Sequence, residues 1–309
     1  MQSNDFIEKA LEKTIRAHEH PSGPPRLAGA IRHAVFPGGA RIRPKLCLAV
    51  AQACGATELN LAIGAAVALE LVHCASLVHD DLPCFDNAAT RRGLPSVHAA
   101  YSEQLAVLAG DALIVMAFQA IAASGAQSPH LLGPVIGIVA SGVGVPFGIT
   151  AGQSWECEPK VDLANYQRAK TGALFSAATQ AGALAAGVDA KPWRAFGELL
   201  GEAYQVADDI RDVLADPAIL GKPTGQDIAN DRPSSAKELG LEGAIEYFDS
   251  LFERVIASIP ACVGADQLQA LARNESERLV PRAWTEGLCV RPAMAQVPRV
   301  LIPQSNLSH

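Results

Sequence analysis

The sequence is short of aromatic side chains, which make up 5% of its 309 residues, and strand-like alternation of polar and apolar positions is scarce. Both shortages argue against a β architecture. No positive charge is in excess: 25 Lys and Arg stand against 32 Asp and Glu, a formal charge of −7, which disfavours nucleic acid as a partner. The seven cysteines (47, 54, 74, 84, 157, 262 and 289) are odd in number and form no CxxC pair. That excludes a zinc ribbon or a disulfide framework and points to reduced thiols in a cytoplasmic protein. No basic segment followed by an apolar core opens the sequence, so no secretory leader is expected. One uncharged stretch, residues 131–151, has the length of a membrane span. Its five glycines and two prolines read instead as a buried helix pair, and no transmembrane segment is expected.

What is present is Ala and Leu in long stretches. Residues 61–80, 104–123, 171–187 and 195–215 read as helices with an apolar face or with burial all round. Gly and Pro clusters separate them, at PSGPP (21–25), FPGGARIRP, SGAQSP and DPAILGKPTG. With no polar linker dividing the chain, one large all-α domain is predicted over residues 1–272. From Arg273 onward the text loses helical periodicity and gains four prolines, so residues 273–309 are expected to form a flexible or loosely packed extension.

Two acid clusters break the apolar pattern: Asp80-Asp81-Leu-Pro-Cys-Phe-Asp86 and Asp208-Asp209-Ile-Arg-Asp212. Such a cluster is most often a solvated helix face. Here each follows an apolar stretch, where unpaired carboxylates are too costly to keep for packing alone. Hard oxygen donors in such numbers select Mg²⁺ or Mn²⁺, and Mg²⁺ so held completes its shell with water and substrate phosphate. On a helix Asp208 and Asp212 share a face, with Asp209 beside them. Pro83 ends or kinks the first helix, so Asp86 is expected to return from a turn. Cations recur beside Gly-rich turns: Arg41 and Arg43, Arg91 and Arg92, Lys170, and Lys222. Arg suits bidentate phosphate contacts and Lys supplies a point charge. A metal-held diphosphate site follows.

The blocks GGARIRP, LVHCASLVHDDLPCFDN, RRGLPS, LAGDAL, AGQSWE, KTGALF, YQVADDIRD and GKPTGQD occur in the order found in trans-polyprenyl diphosphate synthases, which the chain resembles over roughly residues 27–260. Within that family it is most similar to bacterial geranylgeranyl diphosphate synthases of carotenoid and bacteriochlorophyll pathways. The resemblance implies a helical bundle around a central cavity, a cytoplasmic homodimer, and head-to-tail condensation of isopentenyl diphosphate with allylic diphosphates. It implies Mg²⁺, three ions per site, on Asp80 and Asp86 with Asp81 assisting, and on Asp208 with Asp212 and Asp209 in support. Arg91, Lys170 and Lys222 would contact the allylic diphosphate, and Arg43, His73 and Arg92 the isopentenyl diphosphate. His73 taken alone reads as a core histidine; its place seven residues before Asp80 puts it on the same helical face. Thr171 and Gln205 would stabilise the developing cation. Asp111 and Gln153 are expected to act structurally or in support.

The growing tail would pass Ser76 and Ala75, four and five residues before Asp80. Related farnesyl-forming enzymes commonly carry an aromatic at the fifth position; Ala75 leaves the pocket open, and Met116 and Phe118 are expected to plug it near twenty carbons. The chain departs from the family at Ala40 and Gln226, where lysines are usual, at Arg232, again in a Lys position, and at Ala88 and Ala89, which replace acids. Lys45 stands five residues from Ala40. A terpene cyclase would carry an Asn/Ser/Glu second motif, and head-to-head coupling enzymes use paired DxxxD motifs. A non-catalytic regulatory subunit normally loses one Asp cluster, and both are intact here.

Overall fold

A computed structural model describes residues 3–214 and 235–282. Helices follow one another as α1 (Ser3–Ala17), α2 (Pro25–Val35), α3 (Ile42–Ala53), α4 (Asn60–Asp80), α5 (Val97–Ala100), α6 (Glu103–Ser124), α7 (Pro129–Val143), α8 (Ile149–Ser154), α9 (Leu163–Gln167), α10 (Ala173–Ala185), α11 (Trp193–Leu214), α12 (Ser235–Ala257) and α13 (Ala265–Leu279). Among the described residues the strands are one small ribbon, β1 (Thr90–Arg91) antiparallel to β2 (Leu94–Pro95). The four long helices read from the sequence are therefore present with ends shifted by one or two residues, as frayed termini allow.

Helix α4 is buried on nearly every side from Leu61 to Val78, as an all-round apolar helix must be. It packs along α6 and against α3, and α10 lies among α3, α4, α7 and α11. The α10 side chains that enter these contacts include Ala177, Ala178, Ala181, Gly182 and Ala183, so neighbouring backbones approach closely. Trp193, Phe196 and Phe248 fill the core on the α11–α12 side.

Three expectations are corrected. The stretch 131–151 is not a buried helix pair: α7 stops at Val143, Gly144 breaks it, and α8 is one short helix. Val135, Val139 and Gly142 turn inward while Gly133, Pro134, Gly137 and Ala140 stay exposed, so α7 buries one face only. Second, the packed domain does not end at 272. Helix α13 runs through Arg273 to Leu279, with Leu268, Ala272 and Leu279 buried. Its apolar stripe is narrow among NESER-type polar text, which hides the periodicity. Residues 283–309 lie outside the described residues. Third, Arg41 is no phosphate ligand. In the left-handed conformation (φ 50) at the start of α3, its guanidinium turns into the core. It donates to Glu70 Oε1 at 2.6 Å, Glu8 Oε1 at 2.7 Å and the Val35 carbonyl at 2.6 Å, joining α1, α2, α3 and α4. Burial pulls its pKa down, but Glu8 and Glu70 outweigh that and it is raised.

The described cysteines carry no disulfide. Burial pushes the Cys47 and Cys74 thiols up to about 12, so both behave as inert core residues. Helices α4 and α6 are long and apolar enough to cross a membrane by length and composition, but 78% of the apolar window of α4 is buried inside the protein.

Candidate active site

Helix α4 ends where the first acid cluster begins. The Asp86 amide donates to the Asp80 carbonyl at 3.0 Å, so the loop through Pro83 brings Asp86 back beside Asp80, as the sequence predicts. Asp80, Asp86 and Glu156 offer carboxylate oxygens that all lie within 4.8 Å of one another. A carboxylate at a helix C-terminus opposes the helix dipole. Burial adds to this and raises the pKa of Asp80, with Lys170 pulling the other way. Asp80 Oδ1 is buried without a hydrogen bond, 3.7 Å from the Lys170 ammonium.

On α11, Asp208 and Asp212 face a cavity of about 1100 Å³ that Asp80 and Asp86 line from the other side. Asp81 and Asp209 do not line it, which corrects the metal role expected of them. Each is buried behind its neighbour and holds a different group. Asp81 accepts from Arg91 Nε at 3.0 and 3.2 Å, and the terminal nitrogen closes the pair. Asp209 accepts from Gln205 Nε2 at 3.1 Å, and Gln205 Oε1 in turn accepts the Thr171 hydroxyl at 2.9 Å. Thr171, Gln205 and Arg91 line the cavity, so both hidden acids orient exposed groups.

Lys170 and Thr171 sit in a π-helical turn, Arg168–Gly172, between α9 and α10. Such turns widen a helix and recur at functional positions. Gly152 of α8 makes room for it, since a Cβ there would lie 2.4 Å from the Lys170 nitrogen. The Lys170 ammonium donates to Glu156 Oε1 at 2.5 Å, and the same oxygen accepts the Tyr166 hydroxyl at 2.7 Å. Gln153 Nε2 donates to Glu156 Oε2 at 3.1 Å. Glu156 escaped the sequence reading, although it stands three residues after Gln153 in AGQSWE. Gln153 lines the cavity beside it. Asp111 is exposed at the cavity wall, 3.9 Å from His79 Nε2.

Arg43 and His73 occupy the wall nearer α3. Arg43 places its guanidinium 4.8 Å from the centre of the Phe175 ring, and its Nε is buried without a hydrogen bond. Burial lowers its pKa, with Glu70, Tyr204 and Asp208 opposing. Burial, reinforced by Arg43, Arg92, Arg91 and Arg41, holds the His73 imidazole well below its ordinary value and hence neutral near pH 7. Arg92 (φ 54) does not line the cavity; it donates to the Gly38 carbonyl and lies on the GGA turn. Gly39 (φ 156) suits that turn, because a residue with a side chain rarely adopts this backbone conformation. Lys222, Gln226 and Arg232 lie outside the described residues.

The far end of the cavity is apolar, lined by Val72, Ala75, Ser76, Ile114, Val143 and Ile149. Met116 and Phe118 are absent from this lining, contrary to the plugs expected of them. Met116 is two residues, about 200°, around α6 from Ile114 and packs in the main core. Phe118 shares the side of Ile114 but lies one turn beyond it, partly buried against the core.

A single all-α bundle with two acid walls facing across a part-apolar cavity, and cations on its rim, defines a class of enzyme that handles prenyl diphosphates. The chain belongs to the polyprenyl synthetase family, matching it over residues 24–257. It is 52% identical over 275 residues to the geranylgeranyl diphosphate synthase of Cereibacter sphaeroides, covering 89% of this chain and 96% of that protein. The geranylgeranyl diphosphate synthase of Rhodobacter capsulatus is 50% identical, with 91% and 97% covered. Among solved structures, the geranyltransferase of Helicobacter pylori complexed with magnesium and isoprenyl diphosphate superposes with a TM-score of 0.75 at 33% identity, covering 89% of this chain and 98% of that one.

Proposed function

We propose that this protein condenses isopentenyl diphosphate head-to-tail with allylic diphosphates, giving the twenty-carbon geranylgeranyl diphosphate. The observation that carries this reading is the pairing of two carboxylate walls with an apolar channel left open at Ala75. The donor set fits Mg²⁺: the clustered groups are all carboxylate oxygens, and one of them, Asp80 Oδ1, is buried without a hydrogen bond. Asp80 and Asp86 would hold metal on one wall, with Glu156 within reach, and Asp208 with Asp212 on the other, three ions in all. Bound there, Mg²⁺ would neutralise the charge that develops on the departing diphosphate.

The chain's own residues supply the rest. Lys170 and Arg91 offer positive charge to the allylic diphosphate. The Thr171 hydroxyl donates to Gln205, which leaves its oxygen lone pairs for the allylic cation. Arg43 and neutral His73 provide the isopentenyl diphosphate side, a second anion site that a terpene cyclase does not need. Both acid walls being in place favours an enzyme over a regulatory subunit.

Incubating the protein with Mg²⁺, labelled isopentenyl diphosphate and a C5, C10 or C15 primer is expected to give a C20 product, and EDTA should abolish it. Ala75→Phe is expected to stop growth at C15, because a phenyl ring there fills the channel between Val72 and Ile114. A C20 product from Ala75→Phe would place the floor elsewhere.

A cytoplasmic homodimer in a carotenoid-type pathway completes the proposal. Helix α6 supports the dimer: its apolar window is only 39% buried, with Leu108 51% and Val115 57% exposed on one side. A second copy covering that side would remove the apolar surface from water. Val115→Asp is expected to convert the dimer to monomer in sedimentation; an unchanged sedimentation coefficient would reject α6 as the contact.

A further inference from the structure

Helix α13, whose second half the sequence reads as the start of an extension, is tied to the substrate side of the cavity by a short chain of contacts. Glu275 Oε2 accepts the Tyr204 hydroxyl at 2.6 Å, and Arg278 donates to the same hydroxyl at 3.0 Å while also donating to Glu275 at 2.8 and 2.9 Å. The Tyr204 ring packs on Phe175, centroids 4.7 Å apart and tilted by 37°. Phe175, 1% exposed, carries the Arg43 guanidinium over its face at 4.8 Å. Arg43 lines the cavity, whereas Tyr204 and Phe175 do not.

The stack matters because of what Arg43 lacks. Its Nε is buried with no hydrogen bond, so no directional contact of that atom fixes the guanidinium plane. The ring of Phe175 is the surface on which the group rests, and an aromatic face attracts a cation while leaving its N–H groups free to point at an anion. Phe175 can hold that plane only if it does not tilt, and its tilt is limited by the Tyr204 ring. Tyr204 in turn has a part-buried hydroxyl with two partners, Glu275 and Arg278, and losing them costs about one net hydrogen bond. Burial, with Glu275 adding to it, raises the Tyr204 pKa, so the hydroxyl stays protonated and donates. The clamp therefore has one fixed sense: α13 holds Tyr204, Tyr204 holds Phe175, and Phe175 seats Arg43.

We propose that Tyr204 is a positioning residue for the Arg43 guanidinium, and that α13 acts on isopentenyl diphosphate binding through it. This rests on the function proposed above, in which Arg43 serves the isopentenyl diphosphate. Tyr204 does not line the cavity; its positioning effect passes through the Phe175 ring.

The test is steady-state kinetics with each substrate varied in turn, on Tyr204→Phe and Glu275→Gln, together with calorimetric binding of isopentenyl diphosphate alone. Tyr204→Phe keeps the ring and removes the hydroxyl. Both variants are expected to raise KM for isopentenyl diphosphate by about 3- to 10-fold, the scale of one net hydrogen bond, with KM for the allylic primer and kcat within twofold. Calorimetry should show a matching loss of affinity. Phe175→Leu removes the seat itself and should produce the same pattern, with no further loss when Tyr204→Phe is added. A purely structural clamp would lower the melting temperature and leave the isopentenyl diphosphate KM unchanged, and that result overturns the proposal. Wild-type protein that condenses nothing would instead reject the function, while the calorimetric comparison still judges the clamp.

Discussion

Asp80→Ala is expected to lower the condensation rate by about 100- to 1000-fold, the scale on which one charge-stabilising element in a reaction site is felt. Asp80 sits where three carboxylates converge within 4.8 Å, faces Asp208 and Asp212 across the cavity, and keeps one oxygen buried without a hydrogen bond. Asp208→Ala on the opposite wall should cost a similar factor, and the double variant little more, since groups that act as one unit are not additive. A second readout separates chemistry from folding. In EDTA the wild-type acid is a part-buried charge at the wrong end of a helix dipole, beside Asp86 and Glu156, with Lys170 at 3.7 Å and Arg91 relieving it in part. Asp80→Asn should therefore melt no lower than wild type in EDTA while losing activity, the pattern of a group kept for function at some cost in stability. A variant that melts well below wild type in EDTA would make Asp80 a structural acid and would undercut the metal wall.

Arg41→Met is expected to destabilise the fold by about 3–5 kcal/mol, the cost of stranding the partner of a buried ion pair. Arg41 is 2% exposed, and so is Glu70, which would be left as an uncompensated carboxylate among apolar neighbours. Glu8, 38% exposed in its side chain, can turn to water and adds less. For a chain of this size the loss corresponds to a fall in melting temperature of roughly 10 °C. The double variant Arg41→Met/Glu70→Met should recover most of it, because apolar residues of similar volume replace a buried pair at little net cost. Thermal unfolding followed by circular dichroism checks both. If the single variant melts within about 2 °C of wild type, the equivalent of less than roughly 1 kcal/mol, the pair does not fasten α1 and α2 to the core.

The same residues show what could be read in advance. Helices α4, α6, α10 and α11 were legible because long runs of Ala, Leu and Val have one economical arrangement, and the breaks beside them carry Gly or Pro. The return of Asp86 to Asp80 was legible because Pro83 forbids another helical turn. Direction around a helix was harder. Asp81 and Asp209 follow Asp80 and Asp208 by one residue, about 100° of rotation, and that step carries each behind the cavity wall to hold Arg91 and Gln205. Arg41 and Arg43 look alike in GGARIRP, yet they part company at the left-handed backbone of Arg41, which turns its side chain to Glu70. Glu156 and Tyr204 escaped for a different reason. Their importance lies in partners far along the chain, Lys170 and Glu275, and no local pattern announces a contact of that kind.

Helix α10 lies against both α4 and α11, the two helices that carry the acid walls. Helices packed through alanine and glycine sit at the short end of the usual 8–10 Å separation. The gauge of the reaction chamber, the span a diphosphate and its counter-ions must bridge, therefore depends on Gly197 and Gly201 of α11, where a Cβ would lie 2.5 Å from Ser176 and 2.7 Å from Gly172. Neither glycine lines the cavity. The dimension on which the chemistry depends is stored in the smallest residues of the molecule, out of reach of everything that reacts.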